Sequence, residues 1–186
     1  MNLIKRIRPS GGEPNVESHQ NVMRTWYCSY RIVRHRHMVL ALNAETLFPL
    51  VTPLTSVTKT AGPTMQRLVH AGLYSYGIPQ EIIDRECAAM LAWNVEKNVN
   101  RQMTGWMNDL WYRITDMIDE GLQDPDIASR MLFHIYGSLP SHLSSEKFNS
   151  PQDLVTYKLT GQHSQLSLFD AERMRMRWLE WWQGNG

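Results

Sequence analysis

Cysteine is scarce in this chain of 186 residues: there are two, Cys28 and Cys87, with no CxxC and no Cys/His spacing. That excludes a disulfide framework and a zinc site of ordinary ligand spacing, and it reads as reduced thiols in a cytoplasmic protein. Net charge is equally slight, at +1, so no global field draws the chain toward nucleic acid or a membrane. No apolar run reaches the length of a spanning helix. The first residues, MNLIKRIRPSGG, carry basic groups but neither an apolar h-region nor a cleavage-site pattern. The expectation is a soluble cytoplasmic protein with no membrane partner.

The signatures of catalysis are missing too. There is no GxSxG, no HExxH, no paired Cys/His ligands and no Gly-rich loop ahead of a helix. His35 and His37 alternate and so point the same way, but two ligands without a third make a poor metal site. Asp116, Asp119 and Glu120, beside Arg113, read as a solvated helix face. No catalytic residue, metal or cofactor is nominated. The expectation is a binding protein rather than an enzyme.

What is present is a pattern of strands followed by helices. Hydrophobic residues make up 42%, enough for one core, and the length suits one domain with an appended tail. Residues 1–21 are Gly- and Pro-rich and read as a loop. TWYCSYRIV (25–33) alternates, HMVLAL (37–42) is continuously apolar, and the basic turn Arg34-His35-Arg36-His37 separates them, as in a hairpin. LFPLVTPL (47–54), with two prolines, reads as an edge strand. Helices are expected over 64–77, with Met65, Leu68, Leu73 and Tyr76 on one face and Gly77 as the stop, and over 79–92, opened by Pro79. The strongest helix is 101–121, where Met103, Trp106, Met107, Leu110, Trp111, Ile114 and Ile118 form a wide apolar stripe. A capped helix over 124–140 and a return strand over 92–98 complete an α+β domain, residues 22–140. Its small antiparallel sheet packs against several helices. The Ser-rich stretch 141–164 reads as a polar linker, and 165–186 as a tail ending in a helix.

The body of the chain resembles an uncharacterised prokaryotic domain family. In that family a Trp-led strand, a basic turn and an apolar strand ending in Leu-x-Asn precede a Gly-Ile helix start and a helix opening on Arg. The matching positions are Trp26, Arg34, Arg36, Leu42, Asn43, Gly77, Ile78, Ile82, Arg101 and Asn108. The resemblance implies an α+β fold and supplies no activity, because no established chemistry comes with it. Physically, Arg101 and Asn108 share a helix face with Thr104 between them. That polar face suits either a ligand or a strut to the sheet, and the strut is the commoner use. Asn43 reads as a turn residue that tolerates an unusual backbone conformation. Arg31, Arg34, Arg36 and the nearby histidines make a basic hairpin tip with Trp26, Tyr27 and Tyr30 adjacent. That composition suits single-strand stacking, although alternation would bury several of the aromatics.

One segment is specified by identity rather than by polarity. Gln165-Leu166-Ser167-Leu168-Phe169 is similar at every position to the preferred β sliding-clamp-binding peptide of bacteria, Gln-Leu-(Ser/Asp)-Leu-Phe. Leu168 and Phe169 suit a deep apolar pocket and Leu166 a shallower neighbour. The Gln165 amide, donor and acceptor at once, suits the rim. A chance match of all five residues should arise in roughly one chain of this length in a few thousand, which gives it weight as a binding motif. The bland alternative stands beside it: Ser167 and Asp170 resemble a capping arrangement for a helix running to about Trp182. In the RMRMRWLEWW segment, Arg173, Arg175, Arg177 and Trp178 either pack on the domain, extend the clamp contact or touch DNA.

A small protein with such a peptide and no catalytic centre resembles the clamp-directed replication toxin of SocAB-type toxin–antitoxin systems. That resemblance implies the homodimeric clamp as partner, an adaptor antitoxin, a ClpXP-type protease and a block to replication elongation. The runner-up is a clamp-tethered DNA-processing factor of a mobile element, whose α+β domain acts on DNA.

Overall fold

The sheet begins with a hairpin whose turn is tighter than the basic run around it. In the computed structural model, which describes residues 21–58, 61–90, 100–119, 148, 150–165 and 170–185, β1 (Trp26–Val33) and β2 (Arg36–Asn43) are antiparallel. They are in register from Trp26↔Asn43 to Val33↔Arg36. Arg34 and His35 alone form the link, with φ of 44° and 66°. Both residues lie in the left-handed region, as a two-residue type I′ turn demands of its centre. Arg36 and His37, expected in the turn, belong to β2. β3 (Pro49–Pro53) pairs along the other side of β2, from Met38↔Pro53 to Leu42↔Pro49. The order is β1-β2-β3, so both prolines lie on an edge, where a missing N–H does not break a ladder.

β2 is covered on both faces, which is why it reads as one apolar run. Met38, Leu40 and Leu42 meet α4 (Arg101–Asp119) on one side, and Ala41 joins the larger core on the other. The α4 stripe is as the periodicity predicts. Met103, Met107, Trp111 and Ile114 are buried, Trp106 and Leu110 pack at the margin, and Asn100 Oδ1 caps the helix by accepting from the Gln102 and Met103 amides at 3.1 Å each. Trp111 Nε1 donates to Ser29 Oγ on β1.

The opposite layer holds α1 (Leu54–Thr58), α2 (Ala61–Ser75) and α3 (Gln80–Ala89). Gly77, at φ 78°, ends α2, and the Ile78 amide reaches back to the Leu73 carbonyl at 3.1 Å, so the carbonyls at the helix end are satisfied. Pro79, expected as the first helical residue, is instead the N-cap of α3, which begins at Gln80. Together the chain is a small α+β fold with a three-stranded antiparallel sheet between helical layers.

Two expectations change. The linker expected over 141–164 contains a helix, α5 (Pro151–Thr160). Ser150 Oγ caps it by accepting from the Asp153 amide at 3.1 Å, and Gly161, at φ 74°, closes it. Val155 and Leu159 enter the main core, and Leu154 is buried beside them in sequence. Polar composition hid this helix because its buried side also holds Gln152 and Asp153. The expected tail is likewise part of the body. α6 (Ala171–Asn185) packs on α2 and buries Met174, Trp178 and Trp181 in the same core. The segments expected as a helix over 124–140 and a strand over 92–98 lie outside the described residues, as does the N-terminal loop up to residue 20. Among the described residues no helix is long and apolar enough to cross a membrane.

Close packing between the sheet end and α2 depends on Gly72, where a Cβ would run into the ring of fully buried Phe48. Phe48 has no free space to retreat into, because Trp26 and Tyr76 meet it edge-on at 6.2 and 5.6 Å. Gly72→Ala is therefore expected to destabilise the fold by about 1–3 kcal/mol despite its better helix propensity, measured by urea unfolding.

Candidate functional site

The clamp-like peptide sits between two docked helices. Gln165 is exposed, and Leu166, Ser167, Leu168 and Phe169 lie outside the described residues. The chain entering the peptide is pinned by α5. The buried Asp153 carboxylate accepts from the Ser164 amide at 2.8 Å and from His163 Nδ1 at 3.2 Å, and Gln152 Nε2 donates to Ser164 Oγ at 3.0 Å. The His163 ring leans on Tyr157 and Phe148, with centroids 5.0 and 5.6 Å away. The chain leaving the peptide enters α6, whose Met174 is buried only four residues beyond Asp170. The flexible linker expected ahead of the peptide is replaced by α5 and the Ser164 contacts, and the peptide is followed directly by α6.

The accessory residues separate. Arg173 is exposed, Arg175 pairs with Glu172 at 2.8 Å, and the Arg177 guanidinium lies 5.9 Å from the Tyr74 ring centroid. Trp178 is 1% exposed. It belongs to the core, so its expected role as a contact to clamp or DNA is withdrawn.

The polar and basic set of the domain does not form one cluster. Arg34 and Arg36 are exposed at the hairpin end, and Arg101 is exposed at the start of α4. Asn108, two turns further along that helix, accepts from Arg31 Nη2 at 2.7 Å. The Arg31 guanidinium lies 5.8 Å from the Trp111 centroid and 5.9 Å from that of Tyr112. Asn108 is therefore a strut from α4 to β1. Of the aromatics beside the hairpin tip, Trp26 packs on Phe48 and donates Nε1 to the Met23 carbonyl at 2.6 Å, while Tyr27 packs against the α4 core. Tyr30 bonds and stacks with His37.

Asn43 proves to be a hub. Its Nδ2 donates to the carbonyls of Val22 and Thr25 at 3.0 and 3.2 Å. Its Oδ1 accepts from the Glu45 amide, the Thr46 amide and Thr46 Oγ1 at 3.0, 3.0 and 2.9 Å. It holds the end of β2 to the chain before β1 and shapes the turn toward β3. The unusual backbone expected at Asn43 falls instead on Leu47, at φ 58°. Asn43→Ala leaves these buried partners unmatched, and a loss of about 2–4 kcal/mol in unfolding free energy is expected by urea denaturation.

Sequence reasoning passed over two titratable groups. Glu86 on α3 is 1% exposed. Burial raises its pKa, opposed by the Met23 amide that donates to Oε2 at 3.1 Å and by Arg85. His70 on α2 packs its ring 5.0 Å from Trp181, and burial lowers its pKa against the opposing pull of Asp84, 3.8 Å away. Neither residue stands in a motif; Glu86 is buried against the chain at Met23, and His70 is half-buried by Trp181 of α6. Among the described residues, no group of three or more His, Cys, Asp or Glu is arranged to hold a metal.

The two groups act oppositely on stability. A carboxyl with a raised folded pKa favours the fold below its ordinary value and loses that contribution as pH rises through the folded value. A histidine with a lowered folded pKa favours the fold above 6.5 and loses that contribution as pH falls through the folded value. Unfolding free energies of wild type and His70→Gln, compared between about pH 7.5 and 5, are expected to show a component that declines with falling pH in the wild type and is absent from the variant.

A family profile described as a domain of unknown function (DUF6933) matches residues 2–154. The chain belongs to that family. The matched span ends within α5, so the clamp-like peptide and α6 lie beyond it. No curated protein and no solved structure matches the chain.

Proposed function

We propose that this member of the DUF6933 family binds the β sliding clamp of bacterial DNA polymerase III through Gln165-Leu166-Ser167-Leu168-Phe169. By occupying the clamp's peptide pocket it competes with polymerases and repair factors and stalls replication elongation, as a toxin of the SocAB kind. The observation that carries this reading is the five-residue match to the clamp-binding peptide. The exposure of Gln165 supports it, since a rim contact requires an accessible amide. The protein acts in the cytoplasm by binding rather than catalysis, with an adaptor antitoxin and a ClpXP-type protease controlling its level.

Delivery from a bridge between helices suits a competitor. The residues flanking the peptide are ordered by Asp153 on one side and by the buried face of α6 on the other, so their ordering cost is already met by the fold. Three apolar side chains, each contributing about 1.5–3 kcal/mol on burial, are enough for a micromolar contact after the remaining ordering cost. The competing reading, a clamp-tethered DNA-processing factor, draws on the exposed Arg34, His35 and Arg36 at the hairpin end.

Both readings are tested on the full chain, because removing α6 would also remove part of the core. Gln165→Ala and Leu168→Ala/Phe169→Ala are expected to lose clamp pull-down, the double variant by more than about a hundredfold, and to relieve growth inhibition with unchanged urea unfolding. Undiminished toxicity in a folded double variant would refute clamp inhibition. DNA binding or cleavage surviving in that variant would move the conclusion to the DNA-processing reading.

A further inference from the structure

A cavity of about 320 Å³ opens where α2, α3 and α6 meet, lined by His70, Tyr74, Gln80, Glu180 and Trp181. Its volume is that of a small-molecule site. Glu180 lies ten residues beyond Asp170, roughly 15 Å along the α6 axis, so the cavity is distinct from the clamp-like peptide.

Its hydrogen-bonding capacity is one-sided. The Gln80 amide nitrogen uses both hydrogens, one toward Asp84 Oδ1 at 2.7 Å and one toward His70 Nε2 at 2.9 Å. That leaves the Gln80 carbonyl oxygen to accept. Burial lowers the His70 pKa against the opposing pull of Asp84. Glu180 is an exposed carboxylate with no ion pair among the described residues, and Asp84 places a second negative charge behind Gln80. The remaining walls are the aromatic rings of Trp181 and Tyr74. The lining residues themselves thus offer acceptors, negative charge and aromatic rings, with the Arg177 guanidinium already against Tyr74 and His70 against Trp181.

That set is the complement of an organic cation. The same surface already receives guanidinium groups from its own chain: Arg67 lies 5.0 Å from the Trp182 centroid, and Arg177 covers Tyr74. We propose that the cavity binds a guanidinium or primary ammonium group, with Glu180 and the Gln80 carbonyl accepting its N–H bonds and Trp181 lying against its face. An anionic ligand such as a nucleotide is disfavoured by the two carboxylates.

The test is a titration of the full-length protein with agmatine, followed by the indole N–H resonances in ¹⁵N–¹H spectra and by calorimetry. An Ac-Gly-Arg-Gly-amide peptide and neutral n-butylurea are run in parallel. The expected result is a saturable shift of the Trp181 indole with agmatine and none with butylurea. Glu180→Gln, at an exposed position, should weaken agmatine about fivefold or more, by loss of a charge-assisted hydrogen bond. Tighter binding of the peptide than of agmatine identifies a protein side chain as the natural ligand, and the reverse order a free small cation. Leu168→Ala/Phe169→Ala should leave agmatine binding unchanged, so this result and the clamp result stand or fall separately. No saturation by about 10 mM agmatine, an equal response to butylurea, or unaltered affinity in Glu180→Gln would overturn the proposal.

Discussion

Everything in this fold is arranged around a strand that has no solvent side. β2 carries Met38, Leu40 and Leu42 toward α4 and Ala41 toward the α2 layer, so both layers must be present for either face to be dry. Large apolar side chains contribute roughly 1.5–3 kcal/mol each when fully buried. A strand buried on both faces therefore ties the two helical layers into one cooperative unit. Asn43 extends that tie to the polar end of the strand, where no apolar contact could hold the turn. Its five hydrogen bonds bring residues 22–25 and 45–46 to the same point.

The same demand for cover explains the role of α6. α2 has one flank against the sheet end through Gly72 and Phe48, and its other flank is closed by Met174, Trp178 and Trp181. The C-terminal helix is thus a structural wall that happens to follow a recognition-like peptide. Under the proposed function, the peptide is carried between two helices that both pack into the core, α5 and α6.

Much of this was legible in the sequence where a single periodicity governs. The alternation of 25–33, the unbroken apolar run of 37–42 and the four-three spacing of Met103, Met107, Trp111 and Ile114 each specify their element without outside help. Legibility fails where burial is decided by a distant neighbour. In α5, Asp153 and Gln152 are inside because Ser164 and His163 fold back onto them, and polar residues facing inward erase the amphipathic signal. The cap signs, Ser150-Pro151 ahead and Gly161 behind, were present but were outweighed by composition. In α6 the alternating arginines and tryptophans left packing on the domain and outside contact equally open, and the structure places Trp178 inside and Arg177 beside Tyr74. His70 and Glu86 could not be singled out at all, since nothing in one dimension distinguishes a buried titratable group from a solvated one on a helix.

The clasp at Ser164 also has a thermodynamic side. Under the proposed function, binding at residues 165–169 is coupled to the fold through Ser164 before them and α6 after them. Whatever engages residues 165–169 in a shape compatible with docked α5 and α6 raises the melting temperature of the whole domain. Whatever requires those helices to part is resisted by the full cohesion of the α2 layer. On that reading, recognition and folding are linked equilibria, and affinity reports how firmly the Asp153 carboxylate holds the Ser164 amide and the His163 ring.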